Sequence, residues 1–504
     1  MADLRSLIID VLRDVVLFAH KASGTKLRRY QEEVAHAVIR SVRDRLGLTF
    51  VVIFPRQSGK NELQAQIEAY LLLVLSQLDT EIVKASPTWK PQSLNAMRRL
   101  ERVLKRNPLT RERWNKESGY IYRIGKARIY FLSGSPTANV VGATANTLLE
   151  CDEAQDITMA KWDKDFAPMA ASTNATRVFW GTAWTSRTLL ARERRAAEAA
   201  QALDGIRQVW VLTADDVAAE VPEYGKFVAG QVARLGRNHP MVKTQFYSED
   251  IDAEGGMFTP ERMRLMQGSH PRREEPEEGK IYALTIDVAG EDEGKQGTGE
   301  LINPGRDSTA VTVFEVDLSA ISTRSGIGAP TYKVVKRYAW IGEKHTRIYN
   351  TLRELVNHWG ARYVVIDATG VGAGLTSFLE RAFPGKVIPF QFTQQSKSKL
   401  GWGFLAVIET GRYKEPVANG ESGIAFWRQL KYMQHKVQEG PGKILTWSVP
   451  EGTRDDLTGD LVHDDLVISA ALCAVLDEQE WSIGGASVVA KRTDPLFEMD
   501  KEGF

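Results

Sequence analysis

Two series of short apolar runs, separated by a charged stretch, constrain the fold of this 504-residue chain most strongly. The first series comprises residues 48–54, 80–85, 127–132, 147–151 and 177–180, with helical patterns between them. The second comprises residues 280–288, 308–316, 332–340 and 363–367, with a helix predicted over residues 345–359. Strands that alternate with helices in this way predict two α/β sheets, the first of them mostly parallel.

A single hydrophobic core seldom supports a chain of this length, so we predict two main domains. Residues 270–279 carry many charges and two prolines, which is typical of a linker. The predicted division is residues 1–215 for the first domain, 216–279 for a linker or lid subdomain, 280–483 for the second domain and 484–504 for a flexible tail. Helical patterns at residues 4–18 and 30–46 precede the first strand.

The cysteines and the apolar runs argue against several protein classes. Cys151 and Cys473 are far apart and have no CxxC or Cys/His spacing, so neither a disulfide framework nor a zinc site is expected. The longest apolar run, residues 70–75, is far shorter than the roughly 20 residues that span a bilayer. The N-terminus lacks a signal-peptide pattern. We therefore expect a cytoplasmic protein that does not contact a membrane.

Residues 84–128 are strongly basic, with 13 Lys and Arg against 3 Asp and Glu. A second basic segment, residues 393–400, is predicted to be a loop, with Arg412 and Lys414 beyond it. Both segments suit the phosphate backbone of DNA without any base-reading pattern. A solvated helix or loop, or contact with an acidic neighbouring subunit, explains them equally well.

A phosphate-binding loop is predicted where Gly59 and Lys60 lie between a strand and a helix. Backbone N–H groups at a helix N-terminus, together with a lysine ammonium, can bind phosphates. The match to the P-loop pattern is partial, because Phe54 occupies the first glycine position and Asn61 replaces the usual Ser or Thr.

A second element of the same site is predicted at the end of the apolar strand 147–151. Asp152 and Glu153 follow this strand directly. Hydrolysis of a triphosphate needs one carboxylate for magnesium and another that orients or deprotonates the attacking water. The alternative is an acidic strand end that caps the next helix.

A separate carboxylate cluster is predicted in the second domain. Asp287 and Asp367 end two predicted strands, and Asp464 and Asp465 begin an apolar helix. Carboxylates placed in this way can hold two divalent ions that clamp a phosphodiester. Individually, these residues could instead be a turn former, a loop residue and a helix cap. His463 stands beside the cluster and is a further candidate.

These motifs, in this order on one chain, resemble those of the large terminase subunit of tailed bacteriophages. The matching stretches are residues 55–60, 152–154, 181–184, 287–290, 307–311, 367–375 and 463–466. The resemblance implies an N-terminal P-loop ATPase domain of the ASCE, or RecA-like, type. It also implies a C-terminal ribonuclease H-like nuclease domain.

The resemblance assigns roles to the residues of the nucleotide site. Gln31 would contact adenine, Arg56 would contact or sense the γ-phosphate, and Lys60 and Glu153 would act in catalysis. The residues implied to bind ATP and its Mg²⁺ are Gln31, Arg56, Gln57, Ser58, Gly59, Lys60, Asn61 and Asp152. A plain amphipathic helix explains Gln31 as well, and Arg56 could be a surface arginine.

One motif departs from the family. Many members carry an arginine finger ahead of the second motif, where this chain has Val141-Gly142. Another residue must then supply positive charge to the γ-phosphate. Arg98, Arg123 and Arg128 are candidates, acting in this subunit or on a neighbouring one.

For the nuclease, the resemblance implies that Asp287, Asp367 and one of Asp464 or Asp465 hold Mg²⁺ or Mn²⁺ and act in catalysis. Asp464 is the preferred one of the pair. Asp307 is an auxiliary ligand, although the segment 290–306 before it is longer than usual.

The resemblance implies a motor that hydrolyses ATP to move double-stranded DNA into a procapsid and cleaves concatemeric DNA. The implied partners are DNA, a portal protein, a small terminase subunit and further copies of the chain. These copies would form a pentameric ring when docked on the procapsid and would be monomers in solution, in the host cell cytoplasm. Two rival interpretations stay open: a cellular helicase-nuclease of DNA repair, and a non-hydrolysing assembly scaffold in which Phe54 and Asn61 mark lost hydrolysis.

Overall fold

The computed structural model describes residues 2–140, 142–252, 254–291, 307–322, 329–417, 420–438, 440 and 442–481. Val141, residues 292–306 and the predicted tail at 484–504 lie outside this description. Across the described residues the strands form sheets of eight, six and three strands. No helix within these ranges is long and apolar enough to cross a membrane.

The strands are numbered in chain order. They are β1 Thr49–Ile53, β2 Glu81–Ser86, β3 Trp114–Glu117, β4 Ile121–Ile124, β5 Ala127–Ser133, β6 Leu148–Cys151, β7 Thr176–Gly181, β8 Val209–Val211, β9 Glu254–Gly256, β10 Tyr282–Asp287, β11 Ser308–Asp317, β12 Thr331–Ile341, β13 Tyr363–Asp367, β14 Val387–Phe390, β15 Tyr413–Lys414, β16 Gln434–Val437 and β17 Leu445–Ser448.

The helices are named by their bounds. The α-helices are Ala2–Arg13, Val15–Leu17, Arg29–Arg43, Lys60–Val74, Leu94–Arg106, Met159–Lys161, Leu189–Asp204, Ala214–Glu220, Pro222–Leu235, Pro240–Phe246, Pro260–Leu265, Ser319–Ser322, His345–His358, Gly372–Ala382, Gln394–Glu409, Gly420–Tyr432, Asp465–Ala471 and Cys473–Leu476. Short π-helical or 3₁₀ turns are Phe18–Ala22, Trp89–Ser93, Ala154–Asp156, Trp162–Phe166 and Ala167–Ala170.

The first sheet has the order β3-β4-β5-β2-β6-β7-β1-β8 and is parallel from β5 to β8. Successive side chains of β1 enter two cores on opposite faces, Phe50 and Val52 in one and Val51 and Ile53 in the other. Because both faces are covered, the interiors of these strands are mostly apolar, with the buried Lys84 on β2 and Glu150 on β6 as charged exceptions. The phosphate-loop motif and the Asp152-Glu153 pair therefore lie at the same edge of the sheet, with β7 between their strands.

The second sheet has the order β14-β13-β10-β11-β12-β15. β10 runs antiparallel to β11 and parallel to β13, with Ile286 opposite Ile366. Asp287 and Asp367 therefore end neighbouring parallel strands. The mixed α/β class predicted for both halves of the chain is confirmed.

A third, small sheet has the order β17-β16-β9 and is antiparallel. It joins the segment that follows the first sheet to a hairpin from the C-terminal half. The three helices within residues 214–246 bury Val217, Val228 and Phe246 in the core of the first sheet. Much of the predicted linker or lid region is thus packed on the N-terminal half, whereas Arg273 in the charged stretch donates its N–H to the carbonyl of Val335 on β12.

Local differences from the sequence predictions have identifiable causes. The first helix ends at Arg13, because the Asp14 carboxylate accepts the N–H groups of Val16 and Leu17 at 2.7 and 2.9 Å and starts a new turn.

The basic segment 393–400 is not a loop. Thr393 accepts the N–H of Ser396 and caps the helix Gln394–Glu409, which contains the rest of the segment.

A buried ion pair joins β12 to the residue that follows β15, and its contribution to the stability of the protein can be measured. Arg337 donates to both oxygens of Glu415 at 2.7 and 2.5 Å, and the two side chains are 3% and 1% exposed. Arg337→Met should destabilise the protein by roughly 3–5 kcal/mol, because Glu415 is left buried and unpaired. Urea unfolding measures the loss. Lys226→Met, which breaks the exposed pair with Glu223, is the control and should cost less than about 1 kcal/mol. Equal losses would contradict the assignment.

Candidate active sites

The loop after β1 ends at Gly59, whose left-handed conformation and close neighbour disfavour any residue with a side chain. Its φ is 89°, and a Cβ there would lie 2.6 Å from Gln31 Nε2. Among the described side chains, none caps the following helix at Gly59. The first-turn N–H groups of the helix Lys60–Val74 are therefore available to an anion, as a phosphate site requires.

Residues of the helix Arg29–Arg43 and its N-cap hold this loop by its carbonyl groups. Gln31 Nε2 donates to Gly59 O at 2.8 Å, and the Tyr30 hydroxyl donates to Ser58 O at 2.8 Å. Arg28 donates to the same Ser58 oxygen at 2.7 Å. The structure thus places Gln31 against the loop backbone, where it positions the phosphate site. Its contact with adenine stays a prediction.

The other predicted nucleotide-binding residues differ in how they are held. The backbone of Arg56 accepts from the Tyr224 hydroxyl at 2.8 Å and donates to Gln245 O at 2.9 Å. Ser58 is buried, and its hydroxyl donates to Pro55 O at 2.7 Å. Gln57 and Asn61 are exposed. Phe54, at the first glycine position, is buried and packs edge-to-face on Tyr30.

Lys60 and Glu153 meet across the edge of the first sheet. Lys60 Nζ lies 2.7 Å from Glu153 Oε1. Burial opposes the charge on Glu153, but the Lys60 ammonium and hydrogen bonds from Lys60 and Gln155 lower its pKa to about 2. Glu153 is therefore ionised at neutral pH, as a residue that orients or deprotonates water must be. A bound phosphate would compete with this carboxylate for Lys60.

Gln155 links Glu153 to the motif after β7. Its Nε2 donates to Glu153 Oε2 at 2.7 Å, and its Oε1 accepts the N–H of Thr182 at 3.2 Å. Gly181 allows this approach, since a Cβ there would lie 2.3 Å from Gln155 Oε1. Gln155 thereby connects the Glu153 carboxylate to the backbone at Thr182 by two hydrogen bonds.

A buried charged layer supports Asp152. Asp152 Oδ1 accepts from Gln64 Nε2 at 3.0 Å, and Gln64 Oε1 accepts from Lys84 Nζ at 2.5 Å. Burial opposes the charge on Lys84, yet the carboxylates of Glu68, Glu150 and Asp152 raise its pKa above the ordinary value. Lys84, although part of the basic stretch, is thus a buried partner of the site and does not face DNA.

The remaining basic residues of that stretch lie on the surface. Arg123 pairs with Glu117 at 3.1 Å, and Arg128 lies 4.0 Å from Glu81. Arg98, Arg102 and Arg106 form an exposed row on the helix Leu94–Arg106. In the described structure none of Arg98, Arg123 and Arg128 contacts Lys60 or Glu153, so a finger role would require a neighbouring subunit.

In the second sheet, the predicted carboxylates converge. Burial raises the pKa of Asp287 well above its ordinary value, and the charges of Asp465, Asp367 and Asp464 raise it further. Burial also raises the pKa of Asp367 and Asp464. Gly372 allows the helix Gly372–Ala382 to begin against β13, since a Cβ there would lie 2.3 Å from Asp367 O.

Asp464 and Asp465 differ in their contacts. Asp465 Oδ2 accepts both the N–H and the hydroxyl of Ser308, at 2.7 and 2.8 Å, and burial raises its pKa to about 6. The Asp464 side chain does not cap the helix Asp465–Ala471. Asp465 is thus held by Ser308 of β11, whereas the Asp464 carboxylate is hydrogen-bonded to the backbone of Val449. The preference for Asp464 as a ligand stays a prediction.

Asp307 and His463 form the rim of this cluster. His463 Nδ1 lies 2.8 Å from Asp307 Oδ1, while the buried Nε2 has no hydrogen-bond partner among the described residues. The charge of Asp307 also raises the pKa of Asp464 and Asp465. The structure thus brings all five predicted aspartates and His463 together.

The donor set suits a divalent cation, because several buried carboxylates repel one another and oxygen ligands are those that Mg²⁺ and Mn²⁺ prefer. Within the described ranges, no three acidic, histidine or cysteine side chains already surround one point. Asp287, Asp367 and Asp464 would hold such an ion once their carboxylates turn toward it.

Lys397 belongs to the basic segment 393–400, which was predicted to contact DNA, and it lies near this cluster. The Lys397 ammonium lowers the pKa of Asp287 and Asp464 against the effect of burial. Arg412 was wrongly placed at a DNA surface. It is 3% exposed and pairs with both oxygens of Asp477. Lys414 donates to Leu265 O at 2.8 Å.

Several residues of the first site were not predicted from sequence. Gln155 could have been, since it follows Glu153 by two positions in the motif. Arg28, Tyr224 and Gln245 act through backbone contacts from distant segments, and no local pattern identifies them. Lys443 also approaches this site, from the turn between β16 and β17.

The mutual repulsion of the carboxylates gives a prediction about pH and metal. Because the pKa of Asp287 is raised on folding, its contribution to stability is present at low pH and is lost as the pH rises through that pKa. In EDTA at pH 8, Asp287→Asn should therefore raise Tm by at least about 2 °C, and the gain should shrink toward pH 5. Added Mn²⁺ should raise the Tm of the wild type more than that of the variant. The exposed substitution Glu380→Gln should change neither. A lower Tm for Asp287→Asn at pH 8 would refute mutual repulsion.

Comparison with known proteins gives a family match for part of the second sheet. Residues 305–462 match the family model of the terminase RNase H-like domain. This match contains Asp307 and Asp367 and ends just before His463. No curated protein matches the chain.

The solved structures to which the chain is similar are also large terminases. One, from a thermophilic bacteriophage, is 11% identical, with 89% of this chain and 98% of that chain covered and a TM-score of 0.47. That of bacteriophage HK97 is 12% identical, with 91% and 99% covered and a TM-score of 0.37. The magnesium-bound nuclease from thermophilic phage G20c is 16% identical, with 44% and 96% covered and a TM-score of 0.31.

The family-model match covers β11 to β17 and so includes most of the sheet on which the aspartates converge. Residues 305–462 therefore match a terminase RNase H-like domain, and the solved structures named above as similar to the chain are those of large terminases.

Proposed function

We propose that this chain is the motor and nuclease subunit of a bacteriophage DNA-packaging machine. The observation that carries the proposal is the convergence of Asp287, Asp367 and Asp464 beside a segment that matches a terminase RNase H-like domain. The ion pair of Lys60 and Glu153 supplies the second centre, at the edge of the first sheet.

In the first centre, ATP is the proposed ligand, with its phosphates at the N-terminus of the helix Lys60–Val74. Lys60 would neutralise phosphate charge, and Asp152 would hold a magnesium ion, which would supply further positive charge to the phosphates. Glu153, which is ionised, would orient water toward the γ-phosphate. Hydrolysis drives double-stranded DNA into the procapsid.

In the second centre, Asp287, Asp367 and Asp464 would hold divalent ions, which polarise the phosphodiester and lower the pKa of the attacking water. Asp465 and Asp307 would complete the acidic rim, and Lys397 would bind a DNA phosphate beside it. The proposed substrate is concatemeric DNA, cut before and after packaging.

The partners follow from this role. We propose a portal protein, a small terminase subunit and further copies of this chain, arranged as a pentameric ring on the procapsid in the host cytoplasm. Duplex DNA would contact the exposed row of Arg98, Arg102 and Arg106.

Separate substitutions should disable the two centres independently. Lys60→Ala should lower DNA-stimulated ATP hydrolysis by at least about 100-fold and leave plasmid cleavage intact, because it removes charge only from the first centre. Asp367→Ala should abolish Mn²⁺-dependent plasmid cleavage and leave ATP hydrolysis intact. Phosphate release and plasmid linearisation are the measurements, with Glu380→Gln as the control.

The same assays separate the rivals. Plasmid cleavage that survives Asp367→Ala or EDTA would contradict the nuclease assignment. Strand separation on a forked duplex would favour a repair helicase-nuclease. ATP binding without hydrolysis, even with DNA and procapsids present, would favour the scaffold interpretation.

The proposed DNA contact has its own test. Replacing Arg98, Arg102 and Arg106 together by alanine should weaken binding to duplexes of any sequence. It should also reduce the slope of log affinity against log salt by about 2 to 3, because each phosphate contact releases roughly one counterion. Fluorescence anisotropy measures both quantities. Arg347→Ala, at an exposed position in the second half, is the control. An unchanged salt slope would remove this surface from the DNA path.

A further inference from the structure

Lys443 belongs to the C-terminal half, but its side chain lies against the N-terminal half. It is in the turn between β16 and β17 of the small sheet. Its Nζ lies 4.4 Å from the centre of the Trp184 ring. Trp184 ends the Gly181–Trp184 motif, whose backbone Gln155 ties to Glu153. An ammonium on this ring face is stabilised by a cation–π interaction.

Contacts from both halves fix this position. The Trp402 indole N–H donates to Lys443 O at 3.4 Å, and its ring packs edge-to-face on Trp184. Trp402 O in turn lies 3.0 Å from Nε2 of His239, in the segment that leads into the helix Pro240–Phe246. Lys443 itself has a φ of 45°, a conformation that non-glycine residues adopt at a cost. The turn is therefore held at the nucleotide site by a set of packed rings.

The charges around Lys443 are those of the first active site. Its ammonium interacts electrostatically with Asp156, Arg56, Glu153 and Lys60. Burial lowers the pKa of Lys443, and the Asp156 carboxylate opposes that effect. Burial raises the pKa of Asp156 to about 6, and its buried Oδ1 has no hydrogen-bond partner in the described part of the chain. Apart from Asp156, these neighbours are the residues proposed to surround the γ-phosphate.

We propose that Lys443 is a catalytic residue of the nucleotide site, contributed by the C-terminal half and placed to contact the γ-phosphate of ATP. This inference rests on the proposed ATPase function. In hydrolysis, the water oxygen bonds to the γ-phosphorus, the bond from that phosphorus to the bridging oxygen breaks, and ADP leaves with the electron pair. Glu153 accepts the proton of the water. Lys443 balances the negative charge on the transferred oxygens, which is the task for which the family uses an arginine and this chain has Val141.

The consequence is that ATP hydrolysis requires the two halves to be docked. A movement of the hairpin β16–β17 away from Trp184 would withdraw one positive charge from the site. The state of the nuclease half would thereby control the rate of the motor half within one chain.

The test uses the full chain with Lys443→Ala, Lys443→Arg and the control Lys436→Ala, which removes an exposed lysine from the same hairpin. Lys443→Ala should lower the kcat for ATP by at least about 10-fold. It should leave the Kd for ADP, which lacks the γ-phosphate, within about twofold. Lys443→Arg should restore most of the activity, because it keeps the charge. Plasmid cleavage and Tm should match those of the wild type in every variant.

Two results would overturn the inference. One is a kcat within about twofold of the wild type in Lys443→Ala. The other is a joint fall of kcat, plasmid cleavage and Tm that arginine does not rescue, since that pattern indicates packing alone. If the wild type hydrolyses no ATP, the proposed function fails on its own. Binding of a non-hydrolysable ATP analogue then decides: weaker binding by Lys443→Ala supports the contact, and equal binding refutes it.

Discussion

The structure depends on how negative charge is accommodated at the ends of buried strands. Both large sheets are covered on two faces, so carboxylates that follow their strands lie where water is scarce and burial opposes ionisation. In the first sheet, Lys60 Nζ lies 2.7 Å from Glu153 Oε1 and stabilises the ionised carboxylate, and the pKa of Glu153 falls to about 2. In the second, Asp287 faces three other carboxylates and its pKa rises. The charge of Glu153 is thus balanced within the chain, whereas the aspartates of the second sheet lack such a partner of equal effect and suit a cation.

The nucleotide site of the N-terminal half is connected to the C-terminal half by side-chain contacts. Gln155 joins Glu153 to the Gly181–Trp184 motif, and Trp184 meets Trp402 and Lys443 from the C-terminal half. This arrangement provides a continuous path of direct contacts from the nucleotide site to the nuclease half. In the proposed motor and nuclease, these contacts would let the state of one half affect the other.

Sequence patterns predicted the strands, the strand-end carboxylates and Lys60 because these features follow from local chemistry. A buried strand reads as an apolar run, and an acidic residue directly after it must lie at the edge of the sheet. The patterns failed where distant contacts decide. The sequence predicts a surface position for Arg412, but in the fold this residue is buried and pairs with Asp477. The sequence also predicts a loop at residues 393–400, but Thr393 caps a helix there. Lys443 carries no motif, and only the fold brings it to Trp184.

Anomalous diffraction from crystals soaked with manganese and a non-hydrolysable ATP analogue would show whether both acidic clusters bind cations. We expect manganese peaks among Asp287, Asp367 and Asp464, and a further peak beside Asp152 with the phosphates of the analogue against Lys60. Manganese bound away from these aspartates, or an analogue bound away from Lys60, would contradict this expectation.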